Sequence, residues 1–228
     1  MKLELIIPTS LNEIPLKHYQ EFRKVVEGSN DEMFISEKMV QLFCGIELKD
    51  VVKIKASDLT DLVQHFNKLF EEKQGFINRF TLGGVEFGFI PDLENISWGE
   101  YIDLESNLSS WDTMHKAMAV MYRPIIKTKK EKYEIEEYIS SATYAEVMKF
   151  APVNIALGAS LFFWTLGSEL LTALADYLEK EVKKMVSTTT QSELSLVSNG
   201  DGISQSMQSL KETLQNLTQL QKNHLQNV

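Results

Sequence analysis

The sequence predicts a mainly α-helical domain with one small β-hairpin, followed by a polar C-terminal tail that carries a short coiled-coil-like helix. Three observations lead there. Apolar residues recur at helical spacing along most of the chain as far as Leu178. Two runs of β-branched and aromatic residues flank Gly83-Gly84, the strongest hairpin signal present. Near Ser187 the composition turns to Ser, Thr, Gln and Asn, too polar to close a core. The expected division is a helical domain over 1–186, with its hairpin at 76–90, and a polar linker with a C-terminal helix over 187–228.

Leu5 to Ile7 reads as a short extended lead-in. A helix then begins over Leu11–Val25, with Pro15 near its first turn and Leu16, Tyr19 and Phe22 on one face. Asp31 to Phe43 predicts a second helix, and Gly45 its C-terminal cap. Leu48 to Ile54 fits strand and helix equally. Ser57 or Asp58 is the expected cap of an amphipathic helix whose buried stripe is Leu59, Leu62, Val63, Phe66, Leu69 and Phe70. The hairpin follows, ended by Pro91-Asp92. Ser97 with Glu100 three residues on forms a capping box for a helix over Trp98–Leu108. Another helix is expected from Trp111 to Tyr122, stopped by Arg123-Pro124. The spacing Leu11-x-x-Ile14-x-x-x-x-Tyr19 recurs at Leu93, Ile96 and Tyr101, and is read as two helix starts of one type rather than a duplication.

Lys127 to Lys132 is a basic run, expected as a solvated loop or frayed helix start. A short helix over Tyr144–Phe150 should be capped by Ser141 or Thr143. Phe150 to Gly167 is the most apolar segment and just reaches membrane-spanning length, but Pro152, Asn154 and Gly158 argue for a central core helix instead. Its Phe162-Phe163-Trp164 patch is the first candidate partner-binding site. In the tail, Ile203, Met207, Leu210, Leu214 and Leu217 follow the four–three spacing of a coiled-coil seam. Leu210, Leu214 and Leu217 are the second candidate site, for a partner or for self-association. For folding, Trp98, Tyr101, Trp111 and Tyr122 are expected to matter most.

A net charge of −9 with a pI near 5.1 argues against an electrostatic nucleic-acid binder. Cys44 is the single cysteine, so neither an internal disulfide nor a thiolate-rich metal site can form. Lys2 and Glu4 interrupt the apolar start, which does not read as a signal peptide. His18, His65, His115 and His224 stand apart with no metal-ligand spacing, and no nucleophile elbow or phosphate-cradling loop is present. The acidic cluster Asp92, Glu94, Glu100, Asp103 and Glu105 could hold a cation or work as an acid/base pair. Turn and cap duties account for it better, with Arg123 as a structural partner for one acid. No cofactor, metal or enzymatic activity is expected.

Four phrases resemble a widespread family of small tailed-bacteriophage proteins encoded among virion and tail genes. They are Ile7–Tyr19, Phe87–Leu104 (Phe-Gly-Phe-Ile-Pro-Asp-Leu-x-x-Ile-Ser-x-Gly-Glu-Tyr-Ile-Asp-Leu), Lys116–Ile125 (Lys-Ala-Met-Ala-Val-Met-Tyr-Arg-Pro-Ile) and Ala156–Gly167. The resemblance covers roughly residues 5–180 and stops before the polar tail. In general character the family looks like tail assembly chaperones. That implies a protein of the host cytoplasm that binds a tape-measure or other tail component and keeps its apolar helices from aggregating. The alternatives are a permanent virion component, such as a connector, ring or internal cargo protein, and, less well supported, a metal-dependent enzyme using the acidic cluster.

Overall fold

The computed structural model describes residues 5–130 and 132–188, the last seven of these as backbone alone. Leu210, Leu214 and Leu217, and the expected tail helix with them, lie outside the described residues. The chain separates into two compact units, Met1–Ser160 and Leu161–Val228. The fold is mainly helical, as expected, but its sheet is larger than one hairpin.

After a 3-10 turn over Leu11–Glu13, Pro15 serves as the N-cap of α1 (Leu16–Gly28), which buries Leu16, Tyr19 and Phe22. α2 (Glu32–Cys44) starts at Asp31, whose carboxylate accepts the N–H groups of Met33 and Phe34 at 3.0 and 3.2 Å. It ends at Gly45 with φ +65°. The ambiguous 48–54 segment is helical in part, a single turn α3 (Leu48–Val51). α4 (Ala56–Glu71) begins two residues earlier than a Ser57 cap would allow, and three earlier than an Asp58 cap. Lys55 is its N-cap, and the Ser57 hydroxyl, already inside the first turn, bonds Asp58 at 3.0 Å instead. The anticipated stripe does face inward: Phe66, Leu69 and Phe70 are buried, Leu59, Leu62 and Val63 half-buried. Ring contacts join the three long helices, Phe43 lying 5.1 Å from Phe22 and 5.3 Å from Phe66, with Tyr19 stacked on Phe70 at 5.3 Å.

The hairpin forms as β1 (Arg79–Leu82) and β2 (Val85–Phe89), with Gly83 and Gly84 at φ +59° and +83°. α5 (Trp98–Leu108) carries the predicted capping box, Ser97 and Glu100 each satisfying the other's backbone N–H. A 3-10 turn over Trp111–Thr113 leads into α6 (Met114–Met121). Arg123-Pro124 is not a helix stop followed by a loop. The helix ends at Met121 and the chain runs directly into β3 (Tyr122–Lys129), then β4 (Lys132–Ile135), giving one antiparallel sheet in the order β1-β2-β3-β4. Pro124 fits inside β3 because it lies past the end of the β3–β4 ladder, where its carbonyl accepts the Glu136 N–H at 2.9 Å and no donor is asked of it. The basic run is therefore strand and turn, not loop or helix start, and Lys130 takes φ +58° to make the reversal.

α7 (Ala142–Met148) begins after Ser141, whose side chain makes no cap bond. α8 (Val153–Thr188) follows Pro152 as one continuous helix that takes in the apolar segment and runs on past Gly167. Its start is pinned to α1. Leu16 N–H donates to Ala151 O at 2.8 Å and Val153 N–H to Ile14 O at 2.9 Å, a bridge in which Pro15 faces Pro152. The two similar spacings at Leu11 and Leu93 are not helix starts of one type. Tyr19 is buried on a helix with no side-chain cap, whereas Tyr101 is exposed on one with a full capping box.

Two glycines are required by different constraints. Gly84→Val places a β-branched residue at positive φ in open space, which costs about 1–2 kcal/mol. Gly158 lets α8 touch backbone, since a Cβ there would overlap the Gly75 carbonyl oxygen. Gly158→Val should cost about 1–3 kcal/mol by overpacking. Thermal unfolding should show both melting below the parent, and an unchanged Tm for either counts against that account.

Candidate partner-binding surface

The first two turns of α8 behave as the core helix the sequence predicts: Val153, Ile155, Ala156 and Ala159 are buried. Beyond Ser160 that expectation fails. Phe162, Phe163 and Trp164 are half-buried, with the two phenylalanine rings edge-to-face at 5.4 Å. The more exposed side chains lie further on, at Leu166, Leu170, Leu174 and Tyr177, with Leu170 at 69% and Tyr177 at 59% of full exposure. Their spacing of four, four and three puts them on one helical face about 17 Å long at 1.5 Å per residue. Glu169, Thr172, Asp176 and Glu179 recur on the opposite side. Thr165 and Thr172 bond back to the carbonyls of Leu161 and Ser168 at 2.9 and 2.8 Å, so their hydroxyls need no outside partner.

The segment 170–178, whose spacing reads as an ordinary amphipathic helix, thus has Leu170, Leu174 and Tyr177 of its apolar face exposed. Periodicity reports that a helix has an apolar face, never what covers it. Val153–Glu181 is also long and apolar enough to cross a membrane, with a mean hydropathy of 1.4, and among the described residues it is the single such helix.

The acidic cluster does not assemble into one site. Asp92 accepts the Glu94 N–H at 3.1 Å and the Asn95 amide at 2.8 Å, closing a turn. Asp103 accepts the Tyr138 hydroxyl and, at 3.1 Å, the Ser141 N–H, tying α5 to the segment before α7. These bonds hold its carboxyl below the ordinary value. Glu100 is buried, bonded to Ser97 and to the buried Arg123 at 2.6 Å. Burial alone would raise the Glu100 pKa. The Ser97 bonds and the Arg123 guanidinium outweigh it, and the net shift is downward. No group of three or more His, Cys, Asp or Glu side chains among the described residues could hold a metal ion.

The remaining polar candidates have structural partners. His115 Nδ1 faces the Gln20 amide at 3.0 Å, and that amide also donates to Trp111 O at 2.5 Å. His65 Nε2 lies 2.8 Å from Pro8 O. His18 is half-buried, and burial lowers its pKa; His224 lies outside the described residues. Cys44 is half-buried, and burial pushes its thiol up to about 11, far from a reactive thiolate. Of the four residues expected to matter for folding, Tyr122 is buried and donates its hydroxyl to Ile77 O at 2.6 Å, and Trp111 is half-buried against Tyr19. Trp98 and Tyr101 are exposed instead, because the capping box fixes Trp98 as the first residue of α5 with its ring outward.

Comparison with protein-family models, with curated proteins and with solved structures returns no match for this chain.

Glu100→Gln leaves the Arg123 charge buried without a countercharge and should cost about 3–5 kcal/mol. The folded Glu100 carboxyl titrates below its ordinary 4.5. The stability it contributes is therefore complete above that value and is lost as the pH falls through the lower folded value. Tm measured from neutral pH to pH 3 should fall more steeply at the acid end for the parent than for the variant. Parallel profiles would refute the pairing.

Proposed function

We propose that this chain is a non-enzymatic bacteriophage tail assembly protein, a chaperone whose exposed α8 face holds an apolar helix of a tape-measure or other tail component. The observation that carries this reading is the face formed by Leu166, Leu170, Leu174 and Tyr177. An amphipathic helix in a partner has the matching shape, since a face about three turns long offers anchors at i, i+4, i+8 and i+11. A contiguous exposed apolar stripe is otherwise an aggregation liability.

The sequence phrases similar to tailed-phage proteins supply the biological setting, with action in the host cytoplasm during assembly. Protein is favoured over lipid by charge. Beside the exposed face itself the charges are acidic, Glu169, Asp176 and Glu179, and the lysines of α8 begin only beyond it at Lys180, whereas surface-lying membrane helices carry bases along their polar face. The half-buried Phe162, Phe163 and Trp164 lie just before this face along the helix and are a secondary contact in the proposal. Leu210, Leu214 and Leu217 remain candidates for the same partner or for a second copy.

Coexpression with the phage tape-measure protein tests the proposal. The parent should keep that protein soluble and copurify with it, while Leu170→Asp combined with Leu174→Asp should retain at least about tenfold less, as loss of central apolar anchors does. A form truncated after Ser187 assigns the share of the tail. Equal retention by the double variant, or the chain present at fixed copy number in purified virions, overturns the chaperone reading.

A further inference from the structure

A second surface lies on α5, independent of α8. Trp98 is 74% exposed and Tyr101 45%, and their rings stack at 5.5 Å with 21° between planes. Ile102 is exposed beside them on the same helical face. Exposed tryptophan is costly to leave in water, and stacked aromatics with a rigid base are what binding hot spots are made of. Here the base is rigid. Trp98 lies inside the capping box, directly after the N-cap Ser97, and the box residue Glu100 is locked on its other side by Arg123. Tyr138 packs against the helix at Gly99, and its hydroxyl is held by Asp103.

Along the chain the charge around this pair is of one sign, although Arg123 of β3 and Lys116 of α6 reach Glu100 and Asp103 from outside it. From Phe80 to Met114 the chain has seven carboxylates and no Lys or Arg. Several are committed: Glu100 to Arg123, Asp103 to Tyr138 and Ser141, and Asp112 to Lys24 at 3.4 Å. Glu94 and Glu105 are exposed. Glu105 lies two turns along α5 from Trp98 on the same face, about 10 Å away at 1.5 Å per residue. Glu94 precedes the helix by one turn of chain.

We propose that the Trp98–Tyr101 pair, with exposed Glu105 on the same helical face and exposed Glu94 one turn of chain before it, is a docking site for an arginine-bearing segment of a partner protein. A guanidinium lies flat on an indole face and forks onto a carboxylate, so one side chain satisfies both features of the site, which an ammonium does less well. An anionic lipid surface would be repelled by the same carboxylates.

The test is selection of random dodecapeptides displayed on filamentous phage against the immobilised full-length protein, followed by binding of the selected peptides made synthetically. The selected pool should be enriched in Arg, and replacing that Arg with Gln in a peptide should abolish binding. Trp98→Ala should bind at least about tenfold more weakly, and Trp98→Phe should recover part of the loss. Glu94→Lys with Glu105→Lys should weaken binding further at low salt than at high salt. Because Trp98 is exposed, the Tm of Trp98→Ala should stay within about two degrees of the parent. A pool without Arg enrichment, no selected peptide at all, or equal binding by Trp98→Ala overturns the proposal.

Discussion

The continuous buried run from Ala117 to Arg123 is what the first unit is built around. Seven consecutive buried residues cannot belong to a helix with a solvent face or to a strand at a sheet edge. They demand cover on every side, and the neighbours supply it. α5 and α7 flank α6, and β2 pairs with β3 through Phe87–Pro124, Gly88–Arg123 and Phe89–Tyr122. The change from helix to strand at Tyr122 needs no loop because backbone groups on both sides of it find partners, Tyr122 N–H donating to Met118 O and Ile90 N–H to Met121 O at 2.9 Å. Arg123 closes the run with a charge, and Glu100 must be buried to meet it.

The helices before the sheet are joined to this run by polar and aromatic contacts together. Gln20 is buried on α1 because its amide bonds the Trp111 carbonyl and His115, at the start of α6. Tyr19 beside it meets Trp111 edge-on at 4.8 Å. The aromatic cluster of α1, α2 and α4 is thereby continuous with the core around α6. A buried amide leaves little freedom in how the two can be placed, since an unmade bond there would cost about 1–3 kcal/mol.

What was legible in the sequence was what local chemistry decides. Gly83-Gly84, the Ser97–Glu100 box, Asp31 and Gly45 each act within a few residues, and the elements they bound lie where expected. β3 and β4 were hidden. Met-Ala-Val-Met reads as helix to its end, Pro124 reads as a stop, and the lysines of 127–132 read as solvent. Those lysines are better understood as protection of an outer hairpin, where charge discourages pairing with another chain. Trp98 and Tyr101 misled in the opposite sense, since bulk and aromaticity predict burial on average and say nothing about a residue fixed outward by a cap. The exposed face of α8 was half legible. Its periodicity is plain in the sequence, but exposure depends on how far neighbouring elements reach.

The bridge of Pro15 and Pro152 has a consequence for assembly of the fold. Neither proline can donate, so the two bonds come from Leu16 and Val153 alone. Sliding one segment by a residue would set a proline nitrogen against a carbonyl and leave it without a donor. The joint is keyed: it accepts one register and refuses its neighbours. Because α1 and α8 both begin at that joint, the same key sets the angle about its own axis at which each helix starts, and so which of its side chains turn inward.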